Sequence, residues 1–210
     1  MDKKIVTKGI CYKCKQLVTK NSAKNHIHKC FNLSEAHRVD AFMVKAQWPH
    51  KNPIYWLYLA VPFTATLEDL DDFLREIWLE CCPHLSQFTI NNKRFSSCFE
   101  PDRYSTQSSM SISSKKVLAP GLKFTHEYDF GSTTQLLLEV VGLIKTEDSK
   151  KISIMIRNQD PEFKCDYCDE RAVMICSEDN FLCESCSGDD ESFLLPIVNS
   201  PRSGVCGYVG

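Results

Sequence analysis

The chain has 210 residues, of which 43% are hydrophobic and 25% charged, with a formal net charge of −2 at pH 7. That length suits one ordinary domain with appendages or two small ones, and the apolar fraction is enough to bury a core. No run approaches the roughly 18–20 apolar residues of a membrane helix, and the opening "MDKKIVTKGICYKC" carries no apolar signal-peptide region, so a cytoplasmic protein without membrane contact is expected.

The near-neutral total conceals an asymmetry. Residues 1–30 hold eight Lys against one Asp, whereas residues 160–191 hold eleven Asp or Glu against Lys164 and Arg171. Twelve cysteines are present, six of them in the C-x-x-C pairs Cys11/Cys14, Cys165/Cys168 and Cys183/Cys186. In a reducing compartment paired spacing favours zinc over a disulfide framework.

The head of the chain, "CYKCKQLVTKNSAKNHIHKC", sets Cys11 and Cys14 on one knuckle and His26 and Cys30 four positions apart. Residues i and i+4 share a helix face, and Asn21 or Ser22 suits the cap of that short helix. His28 falls on a diverging face, so Cys11, Cys14, His26 and Cys30 are the expected ligands of a tetrahedral zinc. The segment resembles a two-cysteine, two-histidine finger whose last His has become Cys. Its lysines allow non-specific attraction to phosphate. A single finger reads only about 3 bp, and this one has no Arg for bidentate guanine contacts, so sequence reading is not expected.

The body follows. "PIYWLYLAVPF" (53–63) reads as a strand. "TATLEDLDDFLREIWLECC" opens on a capping box at Thr66 and Asp69, and its apolar residues Leu67, Leu70, Phe73, Leu74, Ile77, Trp78 and Cys81 recur at helical spacing as a core stripe. Packing is therefore the reading preferred for Cys81 and its neighbour Cys82. "HLSQFTI" (84–90) returns as a strand whose His84 suits a surface, core or ligand role equally, and "KRFSSCF" (93–99) pairs with it. The Ser-rich stretch 105–116 reads as a loop.

"LKFTHEYDF" alternates Leu122, Phe124, His126, Tyr128 and Phe130 with Lys123, Thr125, Glu127 and Asp129. The alternation predicts a half-buried strand with His126 inward and both carboxylates outward, a poor arrangement for a His–carboxylate dyad. Asp129 is expected to bond the amides of the following turn. "QLLLEVVGLI" runs back, and "KISIMIR" (151–157) supplies another strand.

The second cluster, "CDYCDERAVMICSEDNFLCESC", places Cys165, Cys168, Cys183 and Cys186 on two knuckles across a short hairpin, a four-cysteine site of zinc-ribbon type. It resembles the first half of a B-box finger, without that family's downstream His pair, and Cys176 reads as a packed thiol. Rubredoxin-like iron also fits four thiolates, with zinc preferred. Near the end, "GVCGYVG" has no helix after it and is not a phosphate cradle.

Residues 54–141, with "TLEDLDDFLREIW", "HLSQF" and "EYDFG", resemble the plasmid ORF-three-like family, also known as transposon-passenger resolvase-like proteins, and the Gly-Tyr of "NSPRSGVCGYVG" extends the likeness. The resemblance implies an α+β domain of unestablished activity. Where many members continue into Asp-x-Trp-x-His, this chain has Ser132, Thr133, Thr134, Gln135 and Leu136. The resulting expectation is an α+β fold: an antiparallel sheet packed with one main amphipathic helix, flanked by two small zinc-binding segments. The divisions are a finger at 1–32, an α+β domain at 33–160 and a four-cysteine segment with tail at 161–210. A zinc-binding, non-catalytic interaction protein with two zinc ions and a nucleic-acid or protein partner is expected. The alternative is an enzyme or nucleic-acid processing factor of mobile elements, which would need His84, His126 and Asp129 gathered in one cleft.

Overall fold

A computed structural model of the chain describes residues 5–31, 39–51, 53–99, 107–147, 151–188 and 193–210. In chain order the elements are β1 (Lys8–Cys11), β2 (Leu17–Thr19), α1 (Ala23–Cys30), β3 (Val39–Gln47), β4 (Trp56–Pro62) and α2 (Leu67–Leu74), which continues into a π-helical turn, Arg75–Leu79. There follow β5 (Ser86–Ile90), β6 (Lys93–Ser96), β7 (Gln107–Ser109), α3 (Ser114–Val117), β8 (Lys123–Tyr128), β9 (Thr134–Thr146) and β10 (Ser153–Asn158). The last are β11 (Met174–Cys176), β12 (Phe181–Leu182), α4 (Glu184–Ser187) and β13 (Leu194–Pro196).

The fold is mixed α and β, dominated by one ten-stranded sheet of order β2-β1-β10-β4-β3-β9-β8-β5-β6-β7, with a separate three-stranded sheet β12-β11-β13. Pairing in the large sheet is antiparallel except between β6 and β7. The head thus does not stand apart from the sheet, because β1 pairs directly with β10.

Strand β4 explains how the layers form. Every one of its residues is buried, as expected for a strand covered on both faces. Leu57, Leu59 and Val61 join the larger core beneath α2, while Trp56, Tyr58 and Ala60 join a second core with Ala23 and Ile27 of α1. Gly9 is required where β1 crosses this second core. A Cβ there would lie 2.5 Å from the Trp56 ring and 2.6 Å from Ile156.

The capping box forms as read: the Thr66 side chain accepts from the Asp69 amide and the Asp69 carboxylate accepts from the Thr66 amide. Helix α2 buries Leu67, Leu70, Asp71 and Leu74, and the π turn adds Trp78 and Leu79. Asp71 stands at i+4 from Leu67, on the apolar face, so a charged group enters the core. The Ser-rich stretch departs from its expected loop. Three of its residues pair as β7 in parallel with β6, and Ser114 opens α3 with its hydroxyl bonded to the Pro62 carbonyl at 2.9 Å. Residues 105 and 106 of that stretch lie outside the described residues.

Candidate metal centres

Among the described residues, three groups of Cys and His side chains could each hold a metal ion, with the ligand atoms of each group all within 4.8 Å of one another. The test of fit is the ligand spacing. Tetrahedral zinc with bonds of about 2.3 Å to sulfur and about 2.0 Å to nitrogen sets ligand atoms about 3.8 Å apart for S···S and about 3.5 Å apart for S···N.

The first group is Cys11, Cys14, His26 and Cys30. Strand β1 ends on Cys11, and Lys15 turns the knuckle with φ 62 while its amide bonds the Cys11 carbonyl at 2.8 Å. Helix α1 then presents His26 and Cys30 from one face. Cys11 and Cys30 Sγ are 3.8 Å apart, and Cys14 Sγ lies 3.4 Å from His26 Nε2, so both separations match a tetrahedron. His28 is exposed and outside the group. Ser22 stands at the helix N-cap without a capping bond, its hydroxyl donating instead to the Thr19 carbonyl. Burial pushes the Cys30 thiol up to about 11, with the neighbouring thiols adding to it. Three such thiolates gathered beside a neutral imidazole are favoured by a bound cation.

The second group is Cys165, Cys168, Cys183 and Cys186. The hairpin of β11 and β12 separates its knuckles, as the spacing predicts. Cys183 caps α4, its sulfur accepting from the Cys186 amide. Cys168 Sγ lies 3.6 Å from Cys183 and 3.9 Å from Cys186. Burial raises the Cys165 thiol, but backbone amides outweigh it and hold it at about 6. Cys186, hydrogen-bonded to Cys183 and Cys165, is pushed up to about 12. Cys176 is buried and stands outside the group.

The third group, Cys81, Cys82, His84 and Cys206, was not read from the sequence. Its first three residues follow the π turn, and Cys206 comes from the tail. The adjacent pair and His84 were visible signals. Their partner lies 122 residues away from His84, with Cys206 Sγ 3.4 Å from His84 Nε2.

The tail that delivers Cys206 is held by buried polar bonds. Ser200 donates to the Trp78 carbonyl at 2.5 Å, and Arg202 is fully buried. Arg202 donates to Asp129 at 2.6 Å, to the Ser132 carbonyl and Thr134 hydroxyl at 3.0 Å each, and twice to Cys81 Sγ at 3.3 Å. Asp129 therefore does not face outward to solvent. Strand β8 ends at Tyr128, and Asp129 takes φ 62, which turns its carboxylate under the tail. It also accepts from the Gly131 amide at 3.0 Å, the expected turn bond. Arg202 first, and the turn amides with it, hold the Asp129 carboxyl down at about 2. Burial pushes the Cys81 thiol up, but the Arg202 bonds outweigh it and leave it below its usual range, and hydrogen bonding to Cys81 drives Cys82 up to about 11.

His126 is inward, as the alternation predicts, and fully buried. Its Nε2 donates to Asp71 at 2.5 Å, and Asp71 also accepts from Ser86 at 2.8 Å. Burial raises the Asp71 carboxyl, yet His126, Ser86 and Arg75 together bring it below its ordinary value. His84 Nε2 stands 3.6 Å from Asp129. His126 instead pairs with Asp71 across the core, so the three groups named as a possible proton-transfer set do not converge.

Residues 40–166 match the family described as Plasmid pRiA4b ORF-3-like protein, and the chain belongs to that family. No curated protein matches it. Among solved structures it is similar to the protein of unknown function MM3350 from Methanosarcina mazei Go1, at 14% identity and a TM-score of 0.47, over 59% of this chain and 69% of that one.

Proposed function

We propose that this chain is a zinc-binding, non-catalytic interaction protein whose outer metal sites brace two oppositely charged surfaces. The observation that carries this reading is that each outer group gathers four Cys or His ligand atoms within 4.8 Å of one another, with two separations in each at tetrahedral values. A catalytic zinc keeps a position open for water, and a structural one is closed by protein. The burial of His126 against Asp71 supports the same reading, since a proton-transfer residue must meet its substrate.

Around the first group Lys8, Lys13, Lys15, Lys24 and Lys29 are exposed; around the second, Asp166, Asp169, Glu170, Glu178, Asp179 and Glu184 are exposed. The basic surface suits phosphate backbones without base reading, and the acidic surface suits a basic protein partner. Zinc is the metal preferred at both sites. Among the described residues no helix is long and apolar enough to cross a membrane.

The test is fluorescence anisotropy with labelled DNA duplexes of unrelated sequence. Binding should be sequence-independent and should fall about a hundredfold between 50 and 200 mM salt if about four phosphates are neutralised. Replacing Lys13, Lys15, Lys24 and Lys29 by Ala should abolish it. Sequence-selective binding that survives high salt, or cleavage of the duplex, would refute the reading.

A further inference from the structure

We propose that Cys81, Cys82, His84 and Cys206 form a third metal site, for a thiophilic divalent ion such as zinc, that staples the C-terminal tail to the end of the α2 segment. The inference uses the same ligand chemistry as the outer sites but does not depend on their occupancy.

The geometry meets the same test. Cys81 and Cys82 Sγ are 3.7 Å apart, Cys82 and Cys206 Sγ 4.0 Å, and Cys206 Sγ and His84 Nε2 3.4 Å. These are the edges expected of a tetrahedron of three sulfurs and one nitrogen, about 3.8 and 3.5 Å. Packing does not account for the group, because Cys82 and Cys206 are exposed. Cys206 also adopts φ 51, between Gly204 at φ 81 and Gly207 at φ 68. A non-glycine residue in the left-handed region is strained, and here that conformation brings its sulfur to the other three ligands.

The surroundings are those of a supported metal site, in which outer groups orient the ligands and adjust their charge. Arg202 sends two N–H donors to Cys81 Sγ and is itself fixed by Asp129. Tyr128 donates its hydroxyl to the Cys82 carbonyl, and the His84 ring meets the Tyr128 ring edge-on at 5.7 Å. Three thiolates around a divalent ion leave one negative charge, which the Arg202 guanidinium faces. The set has four protein ligands, so the ion's role is to hold the tail.

The experiment is native mass spectrometry of the full chain, purified reduced and without chelator, for wild type, Cys206→Ser and Cys82→Ser. Wild type should carry three zinc ions and each variant two, with the main melting transition retained. In cobalt-loaded protein each variant should lose about a third of the thiolate-to-metal absorption. Because both substituted residues are exposed, the fold should tolerate the changes, and limited proteolysis should then show the tail after residue 200 cut faster. Two zinc ions in wild type, both retained in both variants, would overturn this site and leave the outer two standing. Three zinc ions retained in both variants would also overturn it. A single zinc in wild type that both variants lose would keep this site and reject the outer two; a single zinc that both variants retain, or none at all, would overturn this site.

Discussion

Arg202 Nη2 donates to Asp129 Oδ2 at 2.6 Å across 73 residues of chain, and this pair locks the tail against the turn after β8. Arg202 is fully buried, so removing Asp129 takes its carboxylate partner from a guanidinium that water cannot reach. Asp129→Asn should therefore lower the melting temperature at pH 7. The Asp129 carboxyl is depressed from 3.8 to about 2 in the folded chain. Its contribution is thus complete above about pH 4 and is lost as pH falls through about 2. Melting curves at pH 7, 4 and 2.5 should show wild type and variant converging as the acid limb is reached. A gap that stays constant over that range would contradict the pair's role.

His126→Ala should be strongly destabilising for a different reason. The substitution leaves the Asp71 carboxylate in the core with Ser86 as its closest remaining donor. Removing a hydrogen-bond partner from a buried carboxylate costs about 1–3 kcal/mol or more, and the lost imidazole leaves a cavity beside it. Urea denaturation measures this directly, and a change below about 1 kcal/mol would show that the pair is not coupled to folding.

Gly9→Ala tests the close approach of β1 to the sheet. The added methyl would meet Trp56 at 2.5 Å and Ile156 at 2.6 Å. Overpacking of this kind costs about 1–3 kcal/mol, or roughly 2–4 °C in melting temperature for each kcal/mol in a chain of this size. Differential scanning calorimetry should detect the loss, and an unchanged transition would show that β1 shifts freely.

Cys11→Ser should remove one zinc and the hydrogen-exchange protection of residues 8–30. The head has little core of its own beyond the one it shares with β3, β4 and β10, and metal binding adds to that packing in holding it. The core between β4 and α2 is built without it, so the main transition should persist. Loss of the whole transition would show that the pairing of β1 with β10 is indispensable.

What could be read from the sequence was what is local. Cys11 to Cys30 and Cys165 to Cys186 carry their candidate ligand sets in about twenty residues each, and Thr66 with Asp69 declares its capping box three residues apart. Asp71 was legible in principle, because it stands on the same helical face as Leu67, Leu70 and Leu74. Strand alternation points Asp129 outward, but the strand ends at Tyr128 and the backbone turns left-handed at Asp129 itself. Strand β7 is three residues long and is set by its neighbour β6, so no periodicity announces it. Cys206 meets Cys82 only through the tertiary fold, and spacing cannot reveal a ligand 124 residues away.

Zinc content tests the central claim most directly. Elemental analysis of reduced, chelator-free wild-type protein should give three zinc ions per chain and no iron. Two, unchanged in Cys206→Ser, would retain the braced ends and remove the tail site. One or none, or iron in place of zinc at the four-cysteine site, would contradict the reading of this chain as a zinc-braced interaction protein.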